Sequence, residues 1–148
     1  MNIRKAEKND MEDVFSLICE LEERKMDKSN FCTVYLNNLS DSRIHYIVAE
    51  QPGKIIGFIS IHIQQLLHHA GSIAEIQELI VTEEWQGSGI GHMMFETAKN
   101  IASENNCINI EVCSNRRREK SHLFYEKIGM KKSSYKFILQ LRRNNNGC

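Results

Sequence analysis

This chain reads as an α+β protein laid out in α/β-type layers, a central mixed sheet of about six to seven strands flanked by four helices. Three observations predict that class. Apolar periodicity alternates between strand and helix spacing in the order β-α-α-β-β-β-α-β-α-β. The stretch Lys54 to Gln64 is largely apolar on both faces, as a strand in the middle of a sheet must be. A third signal is the apolar run Glu75 to Val81, which passes through a glycine turn into an amphipathic helix.

In chain order, Asn2 to Glu7 reads as a short strand. Asn9 is an N-cap with Glu12 three residues on, and Val14, Leu17, Ile18 and Leu21 then form a helical apolar stripe. A second helix runs from Lys28 to Leu39, with Phe31, Tyr35 and Leu39 on one face. Strands His45 to Gln51 and Lys54 to Gln64 flank a Pro52-Gly53 turn. Along the second of these, Ile55, Gly57, Ile59, Ile61 and Ile63 share one face, and Ile56, Phe58, Ser60 and His62 the other. Leu66 to Ser72 reads as a loop. Beyond the glycine turn, Ile90, Met93, Met94, Ala98, Ile101 and Ala102 recur at helical spacing, and that helix ends near Asn105-Asn106. Ile108, Ile110 and Val112 alternate as a strand, a short helix spans Lys120 to Ile128, and a last strand spans Ser134 to Leu141. Residues 1–148 are expected to form a single domain, with 142–148 a frayed polar tail that exposes the Cys148 thiol.

Bulk properties narrow the function. Nineteen basic and nineteen acidic residues cancel, so the chain has no basic field with which to hold nucleic acid or an anionic membrane. No apolar run reaches membrane-spanning length, and the Met1–Lys5 start lacks a signal-peptide core. The five cysteines are scattered without a C-x-x-C pair, which fits free thiols in a reducing compartment, and a cytoplasmic location is expected. Cys113 has no evident base to activate it, so no covalent intermediate on a thiol is expected.

The glycine turn is Gln86-Gly87-Ser88-Gly89-Ile90-Gly91. A glycine turn between strand and helix leaves backbone N–H groups free at the positive end of the helix dipole, a site for phosphate or pyrophosphate. It is not a dinucleotide fingerprint, because the third glycine position falls on His92, and no Gly-Lys-Ser/Thr follows to make a Walker loop. Gln86-x-x-Gly89-x-Gly91 instead resembles the pyrophosphate loop of the GNAT N-acetyltransferases, and the order of elements resembles that family's layout over almost the whole chain. Ser121-His122-Leu123-Phe124-Tyr125-Glu126-Lys127-Ile128-Gly129 resembles the same family's C-terminal signature.

That resemblance implies acetyl-CoA as cosubstrate, its pyrophosphate lined by Gln86, Gly87, Ser88, Gly89, Ile90, Gly91 and His92. It also implies a bulged backbone at Leu79, Ile80 and Val81 that meets the thioester and pantetheine, and a cofactor contact from Asn115. The basic run Arg116, Arg117, Arg118 and Lys120 stays open between a 3′-phosphate contact and a solvated turn. Tyr125 is implied as the acid that protonates the departing thiolate, while Phe124 reads as core. Amine acylation also needs a base, because an alkylammonium with a pKa of about 10.4 has no lone pair to attack with. Glu75 and Glu78 are the candidates, one as base and the other as electrostatic partner, and the resemblance puts Glu75 in the usual place of the base, acting directly or through water.

A narrower likeness lies in His62-Ile63-Gln64 and His68-His69 followed by Glu75-Ile76-Gln77-Glu78-Leu79, with Ile18-Cys19-Glu20-Leu21 upstream. This pattern resembles the aminoalkylphosphonate N-acetyltransferases, which implies a small aminophosphonate as acceptor. A phosphonate dianion needs donors, which His62, His68 or His69 can supply, and Glu20 is placed facing the acceptor. The alternative is that His68, His69 and Glu75 share a divalent cation, a version less favoured than direct contact. The expected function is therefore transfer of an acetyl group to a small primary amine by direct attack in a ternary complex. The competing readings are another acceptor (a polyamine, an aminoglycoside or a peptide N-terminus) and a non-catalytic acetyl-CoA-binding module. A homodimer is implied by the resemblance alone.

Overall fold

Asn2–Lys5 (β1), Ile44–Gln51 (β2), Lys54–Leu66 (β3), Gly71–Val81 (β4) and Asn109–Val112 (β5) form one sheet in the spatial order β1-β2-β3-β4-β5. Met11–Glu22 (α1) and Lys28–Leu39 (α2) follow β1, Ile90–Glu104 (α3) joins β4 to β5, and Glu119–Lys127 (α4) follows β5. Neighbours from β1 to β4 pair antiparallel. β5 is reached through a helix, the long crossover that a parallel neighbour requires, so the sheet is mixed. This computed structural model describes residues 1–142, in which Met1–Glu111 is one compact unit and a second begins at Val112. No helix among the described residues is long and apolar enough to cross a membrane.

The two-faced apolar character of β3 puts it in the middle of the sheet, where Ile55 through Ile61 are buried without a break. On one face Val48, Phe58 and Ile80 pack with Val14, Leu17 and Ile18 of α1 and Tyr35 of α2. Each such side chain contributes about 1.5–3 kcal/mol on burial. Tyr35 also donates its hydroxyl to the Glu7 carbonyl at 2.7 Å. On the other face α3 buries Met94, Phe95 and Ala98. Gly57 lets α3 approach there, since a Cβ at that position would stand 2.9 Å from the Met94 sulfur.

Three expectations are corrected. Asp10, not Asn9, is the N-cap of α1, because a 3-10 turn over Lys8–Asp10 precedes the helix. The Asp10 carboxylate makes no cap bond to α1 and instead accepts the Glu7 N–H at 2.7 Å and the Arg4 guanidinium at 2.8 Å. An ionised carboxylate serves both donors, which a carboxamide does less well, and Arg4 holds Asp10 below the usual carboxylate range. The loop expected from Leu66 to Ser72 shrinks to residues 67–70, because the ladder runs out to Leu66 opposite Gly71. Ala70 closes that turn in the left-handed conformation (φ 49°). The sheet has five strands rather than six or seven, since no strand forms over residues 134–141. Tyr135, Phe137, Ile138, Leu139 and Leu141 are instead 78–94% exposed. Alternation marks a segment able to pair, but a strand exists only where a ladder partner is present. The tail expected at 142–148, with Cys148, lies outside the described residues apart from Arg142.

Candidate active site

After β4, the turn Glu83–Trp85 leads into Gln86, and Gly87 and Gly89 adopt left-handed conformations (φ 78° and 90°) that favour glycine. The Gln86 carboxamide donates to the Val81 carbonyl at 3.0 Å and Ser88 Oγ donates to the Trp85 carbonyl, so side chains pin the loop from within. The first bond of α3 runs from the Met93 N–H to the Gly89 carbonyl at 3.1 Å. Backbone N–H groups from Gly87 to His92 find no acceptor among the described residues. A Cβ at Gly87 or Gly89 would meet nothing within 4 Å, so the space before these donors is open. Free donors, open space and the helix dipole fit a pyrophosphate, and with it acetyl-CoA. The side chain of Ile90 is core, so only its backbone faces this site, and exposed His92 lies 3.8 Å from Glu96.

The carboxylates are organised by an irregularity. His62 pairs with Glu75 and Ser60 with Glu78, yet Ile61 pairs with Ile76. Gln77 is therefore an extra residue, a β-bulge in β4. In a regular strand, residues three apart point to opposite faces. The bulge cancels that and turns Glu75 and Glu78 to one face, shared with His62 and Ser60. Tyr46 lies opposite Ser60 on β2, and Asn38 of α2 donates to its hydroxyl at 2.7 Å. Burial raises the Tyr46 phenol above its ordinary range, Asn38 opposes this, and the Glu78 charge adds to it. Ser60 Oγ accepts the Glu78 N–H at 3.0 Å and donates back to Glu78 Oε1. Glu75 Oε1 is bonded by the Gln77 carboxamide.

The bulge expected at Leu79–Val81 thus falls earlier, and those three residues stay in register with Ile59, Phe58 and Gly57. What frees their backbone is the other neighbour. β5 is four residues long, about 13 Å, and begins beside Ser72, where Ile108 N–H meets the Ser72 carbonyl at 2.9 Å. It ends before the level of Leu79–Val81, leaving that edge of β4 without a strand among the described residues.

The histidines divide. His62 sits beside Glu75, whereas His68 and His69 lie in the hairpin turn. The last rung, Leu66 with Gly71, stands four rungs, about 13 Å, from the His62–Glu75 rung. His69 instead contacts Glu111 of β5 at 3.2 Å, and its ring lies 4.4 Å from that of His68. The ladder therefore does not bring His68, His69 and Glu75 together, and no three His, Cys, Asp or Glu side chains among the described residues are grouped to hold a metal ion. Glu20 is exposed on α1, and its carboxylate has no hydrogen-bond partner among the described residues.

The second unit carries the remaining candidates. Tyr125 on α4 is buried, and burial raises its phenol above the ordinary value against an opposing effect of Arg118, so the proton is held through neutral pH. Its ring meets Phe124 edge-on at 5.5 Å. Exposed Asn115 shapes the entry to α4: its side-chain oxygen accepts the Arg117 N–H at 3.0 Å, and its carbonyl the Arg118 N–H. Cys19, Cys32, Cys107 and Cys113 are free.

Sequence reasoning missed Ser60, Tyr46, Asn38 and Gln77 as members of the site. The Glu-Ile-Gln-Glu spacing was the available signal: two carboxylates three apart serve one site only if the strand is bulged.

Comparison with known proteins bears on the family and the fold. The chain is 36% identical to an aminoalkylphosphonate N-acetyltransferase of Salmonella typhimurium over 139 residues, 94% of this chain and 90% of that protein. It is 31% identical to an uncharacterized N-acetyltransferase of Archaeoglobus fulgidus, over 84% of this chain and 89% of the relative. A solved structure, a transcriptional regulator from Bacillus halodurans C-125, shares the fold with a TM-score of 0.87 over 95% of this chain and 99% of its own, at 22% identity. The acetyltransferase (GNAT) family model matches residues 9–130, and the chain belongs to that family.

Proposed function

We propose that this acetyltransferase transfers the acetyl group of acetyl-CoA to the primary amine of an aminoalkylphosphonate, by direct attack in a ternary complex. The observation that carries the reading is the pair Glu75 and Glu78, turned to one face by the Gln77 bulge beside His62. An ammonium group arriving at that face meets two carboxylates, one to hold its charge and one to take its proton. His62 offers a donor to the phosphonate oxygens within the reach of a short aminoalkyl chain. The named activity of the 36%-identical relative supports the same acceptor class. Bound acetyl-CoA supplies the activated acetyl thioester, and the N–H groups from Gly87 to His92 suit its pyrophosphate. The free edge at Leu79, Ile80 and Val81 offers N–H donors to a developing oxyanion. Tyr125 keeps a phenolic proton for the departing sulfur, and Asn115 contacts the cosubstrate; these two roles rest on the family resemblance.

The test is free-thiol release from acetyl-CoA with aminomethylphosphonate, aminoethylphosphonate, spermidine and kanamycin, before and after EDTA. Turnover confined to the phosphonates and unaffected by EDTA is expected. Turnover of spermidine or kanamycin alone would overturn the acceptor class and leave the acetyltransferase standing. Loss on chelation would overturn the metal-free version of acceptor binding.

A further inference from the structure

Ser60 is one of two buried polar or charged residues among the described ones, the other being Asp10 in its ion pair with Arg4. It stands at 0% exposure between Ile59 and Ile61, where an apolar residue would satisfy the strand at lower cost. A hydroxyl has one proton to donate and lone pairs to accept with. Here both functions are turned on a single residue: Ser60 Oγ accepts the Glu78 N–H at 3.0 Å and donates to Glu78 Oε1. The two bonds close a ring that restricts the Glu78 side chain to one rotamer. Glu78 Oε2 has no hydrogen-bond partner among the described residues, and the ladder puts Glu78 on the face shared with Glu75 and His62. Glu75, by comparison, is bonded only by exposed Gln77, a neighbour on its own strand.

We infer that Ser60 is a positioning residue that locks the Glu78 carboxylate as the proton acceptor of the transfer, an inference that rests on the acetyl-transfer reading above. The ammonium proton passes to Oε2, which frees the nitrogen lone pair. The N–C bond then forms as the C–S bond breaks, and the nitrogen sheds its second proton to water as the amide forms. The departing sulfur is protonated by a general acid that water then restores, so that ammonium and thioester give amide, thiol and one free proton. Ser60 keeps its own proton throughout, and Glu78 returns to the carboxylate by releasing the proton to water.

The experiment is a double-mutant cycle on the full chain with aminomethylphosphonate at saturating acetyl-CoA, each variant being checked by thermal melting. Ser60→Ala is expected to lower kcat by about 10- to 100-fold with the KM for acetyl-CoA unchanged, and Ser60→Thr, which keeps the hydroxyl, to stay within about threefold of wild type. In a Glu78→Gln background, Ser60→Ala is expected to cost less than about twofold, because its effect runs through the carboxylate. Equal losses in both backgrounds, or a wild-type rate for Ser60→Ala, would overturn the inference. Should Ser60→Ala not fold, Ser60→Cys takes its place, keeping the volume and weakening the donor, with the same expectations. Silence of the wild type with every amine overturns the acetyl-transfer reading and this inference with it. An active wild type with additive losses overturns the inference alone.

Discussion

At the middle of the β3–β4 hairpin, Ser60 is sealed from solvent and bonded twice to Glu78, under a face covered by Tyr46 and the packed helices α1 and α2. At the tip of the same hairpin, Leu67 is fully exposed and His69 reaches sideways to Glu111 rather than back along the strand. Both regions draw on one antiparallel ladder and both carry ionisable side chains. Register is what separates them. In the middle, one extra residue gathers two carboxylates and a histidine onto one half-buried face. At the tip, the ladder has run out and the side chains pair with whatever lies adjacent.

Removing the base should break the middle most severely. Glu78→Gln is expected to lower kcat/KM by about 10²- to 10⁴-fold, the ordinary contribution of a positioned general base. Glu75→Gln should cost about tenfold, as the loss of one charge holding the ammonium. Steady-state kinetics with aminomethylphosphonate decide between them, and a reversed ranking would move the base to Glu75. Next in size is Tyr125→Phe, expected to lower kcat by about 10- to 100-fold while acetyl-CoA affinity, measured by calorimetry, stays nearly intact. Because burial raises this phenol, the wild-type rate should persist with rising pH past the ordinary phenol value of about 10 before the acid is lost. A Tyr125→Phe enzyme with full turnover at saturating substrate would remove the acid assignment.

What could be read in the sequence was local. The stripe Val14, Leu17, Ile18 places α1 without reference to any other element, and Gly87 and Gly89 announce left-handed turns through their lack of a Cβ. The carboxylate pair was visible as residue types, but its shared face depends on register with β3, which no single strand encodes. Ser60 was visible only as one member of an alternating face, because its importance lies in a partner eighteen residues away. The length of β4 was underestimated because Gly71, Ser72 and Ala74 look like loop residues until a neighbouring strand pairs with them. The unformed strand at 134–141 is the converse error, an alternating pattern with no partner among the described residues.

The smallest effects test the contrast between the histidines. In an aminoalkylphosphonate with one or two carbons between nitrogen and phosphorus, the anionic oxygens lie close to the amine. If the amine sits against Glu75 and Glu78, the phosphonate can reach His62, which shares a rung with Glu75, but not a turn about 13 Å farther along the ladder. His62→Ala is therefore expected to raise the KM for aminomethylphosphonate about tenfold with little change in kcat, a loss of ground-state binding. His69→Ala should leave that KM within about twofold, because its ring answers to Glu111 and to His68. Parallel initial-rate titrations of the two variants give the ratio directly. A larger KM effect at His69 than at His62 would mean that the tip folds over the bound acceptor, and the separation drawn along the ladder would fail.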